Sequence, residues 1–152
     1  MSPEEKVLVQ ETWQKVLPIA DTAARMFYDR LFEIDPTTRP LFQATSFAEQ
    51  RRKLIQALTM VVQGLDHLER LGPALSELGR RHAQYGVSNA HYDTVGIALL
   101  QTLERGLGSA WTPQVRAAWS HAYALLAGIM RSAGSEQLSA PDHHAPEARV
   151  LT

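Results

Sequence analysis

Apolar residues recur along the chain at intervals of three and four, the spacing that places them on one face of an α-helix. The clearest stripe begins at Gln50 and continues through Leu54, Leu58, Val61 and Leu65. No segment alternates apolar and polar residues as a half-buried strand would. The pattern predicts an all-α fold with six to eight helices around a single core.

Local signals mark the ends of the predicted helices. Ser2-Pro3-Glu4-Glu5 and Ser46-Phe47-Ala48-Glu49 have the form of capping boxes, in which a hydroxyl and a glutamate satisfy the first backbone amides. Asp35-Pro36 ends one helix, because the residue before a proline avoids the helical region. Gly72-Pro73 is expected to restart the chain after a break, and the stretch between Pro36 and Ser46 is expected to form a short corner.

The helical pattern ends at residue 132. From residue 133 onward the chain contains serine, glycine, alanine, proline, histidine and charged residues without an apolar period. Such a segment buries too little surface to order itself. The sequence therefore predicts one domain over residues 1–132 and a disordered tail over residues 133–152.

Composition narrows the possible functions. Fifteen basic side chains against sixteen acidic ones leave no positive excess for binding nucleic acid, and the absence of cysteine excludes disulfides and thiolate metal sites. The longest apolar run, residues 122–130, is far shorter than the roughly 20 residues of a membrane span. The protein is expected to be cytoplasmic, with no membrane span.

Two polar residues lie on apolar stripes. His82 shares a stripe with Leu75 and Leu78, and Gln50 begins the stripe of an earlier helix. A polar residue on each of two facing helices is typical of a ligand site between them. The pattern alone also allows His82 to be a buried histidine satisfied by a backbone carbonyl, and Gln50 to be a solvated residue of a first turn.

The order of several short motifs resembles the globins. The motifs are Phe27-Tyr28-x-x-Leu31-Phe32, Pro40-Leu41-Phe42, Gln50-x-x-Lys53-Leu54, Leu78-Gly79-x-x-His82-x-x-Tyr85-Gly86-Val87, His91-Tyr92 and Ala117-Ala118-Trp119-x-x-Ala122-Tyr123. The resemblance is greatest to bacterial single-domain globins and to the globin half of flavohaemoglobins, and residues 103–132 also resemble neuroglobin. It implies a globin fold that binds haem b.

The resemblance also implies a role for each matching residue. His82 is the implied iron ligand, with its other ring nitrogen donating to the carbonyl of Leu78, and Phe42 is the implied stacking partner of the porphyrin. Tyr28 and Gln50 match the distal pair that donates hydrogen bonds to a bound gas. The remaining implied contacts of the haem are Lys53 at a propionate, Leu54 beside the distal pair, and Val87, Tyr92, Val95 and Leu99 around the porphyrin.

Two positions depart from the related patterns. Bacterial globins of this type commonly carry a glutamate that reaches the proximal histidine with a tyrosine matching Tyr92, and Gly134 stands at that place. Neuroglobin has a distal histidine where this chain has Gln50, so ligation of iron by two histidines is not expected.

The implied function is tight, reversible binding of dioxygen and other diatomic gases such as nitric oxide and carbon monoxide. Two distal donors favour slow oxygen release, which suits scavenging or the oxidation of nitric oxide with electrons from an external reductase. An alternative is a haem-based gas or redox sensor that signals through a protein partner. A third hypothesis is a globin-fold interaction module without haem.

Overall fold

The protein is described by a computed structural model that covers residues 1–42 and 46–138. Six α-helices follow one another: α1 (Pro3–Val16), α2 (Ala20–Ile34), α3 (Phe47–Gly64), α4 (Leu68–Gln84), α5 (Asn89–Leu107) and α6 (Pro113–Leu138). Short 3₁₀ turns at Leu17–Ile19, Pro36–Phe42 and Gly108–Ala110 connect some of them. No strand occurs in these two ranges. The all-α prediction is confirmed.

The predicted helix ends are mostly present. Ser2 Oγ accepts a hydrogen bond from the Glu5 amide and the Glu5 carboxylate accepts one from the Ser2 amide, so the capping box of α1 is complete. Ser46 Oγ accepts from the Glu49 amide at the start of α3. Helix α2 ends at Ile34, directly before Asp35-Pro36.

Two predicted helix ends are wrong. Helix α4 begins at Leu68, before Gly72-Pro73, because the carbonyl of His67 accepts the amides of Arg70 and Leu71 and starts the helix there. Pro73 is accommodated inside the helix, at the cost of one backbone hydrogen bond.

The second difference concerns α6, which continues past the boundary predicted at residue 132 and ends at Leu138. Ala133 is only 4% exposed and Gly134 is buried, so this last part of α6 packs on the fold. The sequence pattern misses it because small residues contribute little to an apolar period. The rest of the predicted tail, residues 139–152, lies outside the described residues.

The buried apolar side chains form two clusters. The larger one joins α1, α2, α5 and the first half of α6, and contains Trp13, Leu31 and Trp119. The smaller one joins α3, α4, α5 and the second half of α6, and contains Leu75, Tyr92 and Met130. Members of both clusters line one cavity.

Helix α4 lies unusually close to α6. A Cβ atom added to Gly79 would lie 2.3 Å from the backbone oxygen of Met130, a distance that no side chain tolerates. The two backbones therefore touch with no side chain between them. This contact fixes the position of α4, and with it the position of His82 three residues further along.

Candidate functional site

The cavity between the two clusters is the candidate functional site. Its empty space, which includes the open mouth, is about 920 Å³. Most of its wall is aliphatic or aromatic. The side chains that line it include Phe27, Tyr28, Leu31, Thr38, Phe42, Leu54, Leu58, Val61, Leu75, His82, Val87, His91, Tyr92, Val95, Leu99, Tyr123 and Met130.

His82 presents one free ring nitrogen to this cavity. Its Nδ1 atom lies 2.7 Å from the carbonyl oxygen of Leu78, which can only accept, so Nδ1 carries the proton. The Leu78 contact implied by the resemblance is therefore present. The lone pair is left on Nε2, the arrangement that a metal-binding histidine requires.

The protonation of His82 suits the same role. Burial lowers the pKa of His82 to about 4, and the hydrogen bond to Leu78 offsets only part of this effect. The imidazole is therefore neutral at neutral pH. It can bind a metal through Nε2 without first losing a proton.

Tyr28 and Gln50 are brought together by α2 and α3. The Gln50 Nε2 atom donates to the Tyr28 hydroxyl at 2.9 Å, and both side chains are buried. Because the hydroxyl oxygen accepts this bond, its own proton is available to a different acceptor. Burial also raises the pKa of Tyr28 above its ordinary value, so the phenol remains a donor across the physiological range.

The two members of this pair have different positions. Tyr28 lines the cavity, whereas Gln50 is 0% exposed and lies behind Tyr28, outside the set of described residues that form the wall. Sequence reasoning implied that both side chains reach a bound ligand. Of the two, only Tyr28 belongs to the cavity wall, and Gln50 donates a hydrogen bond to its hydroxyl.

An aromatic group holds Tyr28 in place. Phe42 packs edge to face against Tyr28, with ring centroids 5.3 Å apart, and Phe47 does the same at 5.9 Å. Phe32 adds a tilted contact at 6.1 Å. Such contacts restrict the ring to one orientation. Phe42 is buried and lines the cavity, as its predicted role against a flat ligand requires.

The other predicted residues divide into two groups. Leu54, Val87, Tyr92, Val95 and Leu99 all line the cavity. Lys53 is half-buried on α3 and is not part of the cavity wall. Its predicted contact with a propionate stays a prediction.

Sequence reasoning missed His91 as a site residue. It lines the cavity at the start of α5, where its Nδ1 atom accepts a hydrogen bond from the Ser88 amide at 3.0 Å. The signal was visible as the His91-Tyr92 motif. Only its neighbour was assigned a role.

Tyr92 has Arg131 as its charged neighbour, and the packing of α4 against α6 accounts for the glycine at position 134. The Arg131 guanidinium lies 5.2 Å from the centre of the Tyr92 ring and pairs with Asp93 at 2.6 Å. Burial raises the pKa of Tyr92 to about 12. A Cβ atom on Gly134 would lie 3.2 Å from the Gly79 carbonyl oxygen, so the backbone contact between α4 and α6 leaves little space for a glutamate here.

The residues fit a haem. An apolar cavity, one neutral imidazole with its lone pair on Nε2, and a phenol donor in the same wall are the groups that an all-α protein of the haem-binding class offers to its cofactor. The profile of the globin family ("Globin") matches residues 25–130. The chain belongs to the globin family, and membership implies binding of haem and, through it, of diatomic gases such as dioxygen.

Curated relatives at modest identity are neuroglobins. The chain is 29% identical over 143 residues to the neuroglobins of Dissostichus mawsoni, Chaenocephalus aceratus and Danio rerio. Each comparison covers 86% of this chain and 90% of the relative. Within residues 1–42 and 46–138, no helix is both long enough and apolar enough to cross a membrane.

Proposed function

We propose that this globin holds dioxygen tightly through Tyr28 and uses it to oxidise nitric oxide, with electrons supplied by a separate reductase. The observation that carries the proposal is the hydrogen bond from Gln50 Nε2 to the Tyr28 hydroxyl. It leaves the phenol proton for an acceptor in the cavity. This pairing supports a distal site of the bacterial single-domain type.

Haem b, when bound, supplies the iron at which diatomic gases bind and the redox chemistry that converts nitric oxide to nitrate. The residues proposed to hold it are His82 through Nε2, Phe42 against the ring, and the aliphatic side chains of Leu54, Val87, Val95 and Leu99. These side chains carry no hydrogen-bonding groups, so they keep water from the site. A dry site strengthens the hydrogen bonds made inside it.

Tyr28 selects among gases by the charge they carry when bound. Its proton stabilises a ligand that has become negatively polarised, as dioxygen does, and has little effect on a nearly neutral one such as carbon monoxide. A hydrogen bond to a charged acceptor contributes about 1.5–3 kcal/mol. Gln50 holds the hydroxyl in the donating orientation, and the pKa of Tyr28, raised by burial, keeps the proton on it.

Nitric oxide consumption tests the proposal. The haem-loaded protein is saturated with dioxygen and titrated with nitric oxide, with and without a flavin reductase and its reduced nicotinamide. We expect one equivalent to be consumed without the reductase and many equivalents with it. Consumption that stops at one equivalent although the reductase keeps the haem reduced would refute the enzymatic role and favour the sensor hypothesis.

A further inference from the structure

A chain of hydrogen bonds runs through His91, a residue of the cavity wall. The Ser88 amide donates to His91 Nδ1 at 3.0 Å, so the proton of the neutral imidazole is on Nε2. His91 Nε2 lies 3.4 Å from Thr37 Oγ1, and the Thr37 hydroxyl donates to Asp35 at 2.5 Å. Donation runs in one direction, from His91 through Thr37 to Asp35. The chain links the start of α5 to the 3₁₀ turn Pro36–Phe42.

The hydrogen bonds from Ser88 to His91 and from Thr37 to Asp35 are well formed, whereas the one between His91 and Thr37 is weak. The Ser88 contact belongs to the reciprocal capping box of α5, in which Ser88 Oγ also accepts from the His91 amide. Asp35 accepts from both the amide and the hydroxyl of Thr37, which lower its pKa. The 3.4 Å contact between His91 and Thr37 is long for a hydrogen bond. His91 Nε2 can therefore exchange Thr37 for a stronger acceptor without losing its cap.

The side chains of the cavity wall that can carry a positive charge indicate which residue could bind an acid group of a ligand. Among the described residues of the cavity wall, only His82 and His91 can carry a positive charge. His82 already donates Nδ1 to the Leu78 carbonyl and offers only a lone pair on Nε2. His91 lines the cavity and is half-buried. Of these two histidines, His91 is the one that can donate to an acid group of a ligand in this cavity.

We propose that His91 is the carboxylate-binding residue of the cavity. Its Nε2–H group donates a hydrogen bond to the Thr37 hydroxyl. When the cavity is filled, the same group donates to a propionate of the porphyrin instead. The proposal rests on the proposed binding of haem and deepens it, because it assigns recognition of the cofactor's acid groups to a residue of α5 and not to Lys53 on α3. The capping bond from Ser88 holds the ring in the donating tautomer in both states.

Haem loss tests the assignment with two cofactors. The ferric protein is loaded either with haemin or with haemin dimethyl ester, in which both carboxylates are blocked, and loss to an excess of a scavenging apoglobin is timed. For His91→Leu we expect haemin to leave about 10 to 150 times faster than from the wild type, the effect of one lost charge-assisted hydrogen bond. Loss of the ester should change by less than about twofold.

A second variant separates recognition from helix stability. His91→Glu keeps the capping box of α5, since glutamate is the usual residue at that position of the motif, and it places a negative charge where the donor was. Haemin loss should accelerate at least as much as in His91→Leu, while the melting temperature of the apoprotein and the loss of the ester stay near the wild-type values. Thr37→Val is the matched control, because it removes the resting partner and keeps the donor; it should not accelerate haemin loss.

Three results would overturn the proposal. Equal acceleration of haemin and ester loss in both His91 variants would make His91 a packing residue. No acceleration of either would leave it without a role in cofactor binding. Thr37→Val losing haemin as fast as His91→Glu would move the carboxylate contact to Thr37. A wild-type chain that takes up neither cofactor contradicts haem binding itself, which is a separate failure.

Discussion

Replacing Tyr28 and Gln50 separately and together tests how the distal pair works. The variants are Tyr28→Phe, Gln50→Leu and the double variant. In the structure Gln50 Nε2 donates to the Tyr28 hydroxyl, and only Tyr28 belongs to the cavity wall. The effect of Gln50 should therefore pass through that hydroxyl.

The expected magnitudes follow from the two hydrogen bonds. Tyr28→Phe removes a donor to a charged acceptor, about 1.5–3 kcal/mol, so oxygen should leave about 10 to 150 times faster. Gln50→Leu removes a neutral hydrogen bond of about 0.5–1.5 kcal/mol that orients the phenol, so oxygen release should accelerate by about two to twelve times. With Phe at position 28 there is no hydroxyl to orient, and adding Gln50→Leu should change the rate by less than about twofold.

Stopped-flow displacement of oxygen by excess carbon monoxide measures these rates. Carbon monoxide release should change little in all three variants, because that ligand carries almost no charge when bound. Leu54→Met is a suitable control, since it alters the same wall while conserving volume and adding no donor. The reasoning is refuted if Gln50→Leu has the same effect with Phe as with Tyr at position 28, because Gln50 would then contact the ligand directly.

Three further results are expected. His82→Ala should not incorporate haem stably, because the imidazole nitrogen proposed to bind the iron is lost; an unchanged Soret absorbance after mixing with haemin would refute the assignment. Burial lowers the pKa of His82 from 6.5 to about 4. Between these two pH values the unfolded state binds a proton at His82 that the folded state does not bind. The unfolding free energy of the apoprotein should therefore fall by up to about 3 kcal/mol as the pH drops from 6.5 towards 4. Urea unfolding of wild type and His82→Leu across that window measures the difference, and equal slopes would contradict it. Removing residues 133–152 should lower the melting temperature by about 4 °C or more, because Ala133 and Gly134 pack on the fold. Removing only residues 139–152 should change it by less than about 2 °C. Scanning fluorimetry compares the two truncations directly, and equal shifts would argue against that packing.

The fold and several residues of the cavity wall were predictable for identifiable reasons. Helix periods, capping boxes and Asp35-Pro36 are local signals, and the structure follows them. The contact between His82 and Leu78 spans one helical turn, so it depends on spacing alone. Leu54 and Leu99 line the cavity, and their positions could be predicted from the apolar period together with the resemblance to the globins.

Features that depend on the packing of distant segments were not predictable. The position of Gln50 behind Tyr28 depends on how α2 crosses α3, and residue spacing does not report that. The hydrogen bond between His91 and Thr37 joins residues 54 positions apart. The end of α6 was missed because Ala133 and Gly134 are recognised as packing residues only once α4 lies against them.

The contact between the backbones of α4 and α6 restricts how this protein can evolve. A carboxylate beside Tyr92 would require a side chain at position 134, whose Cβ atom would lie 3.2 Å from the Gly79 carbonyl oxygen and 3.3 Å from the Ala83 Cβ. Gly79 has little freedom to move away, since its own Cα faces the backbone of Met130 at a distance that excludes even a methyl group. A single substitution of Gly134 is therefore a poor route to an acid beside Tyr92. Acquiring it would require the helix that carries His82 to yield by a few tenths of an ångström, so a change of charge on this side of the cavity is coupled to the backbone of α4.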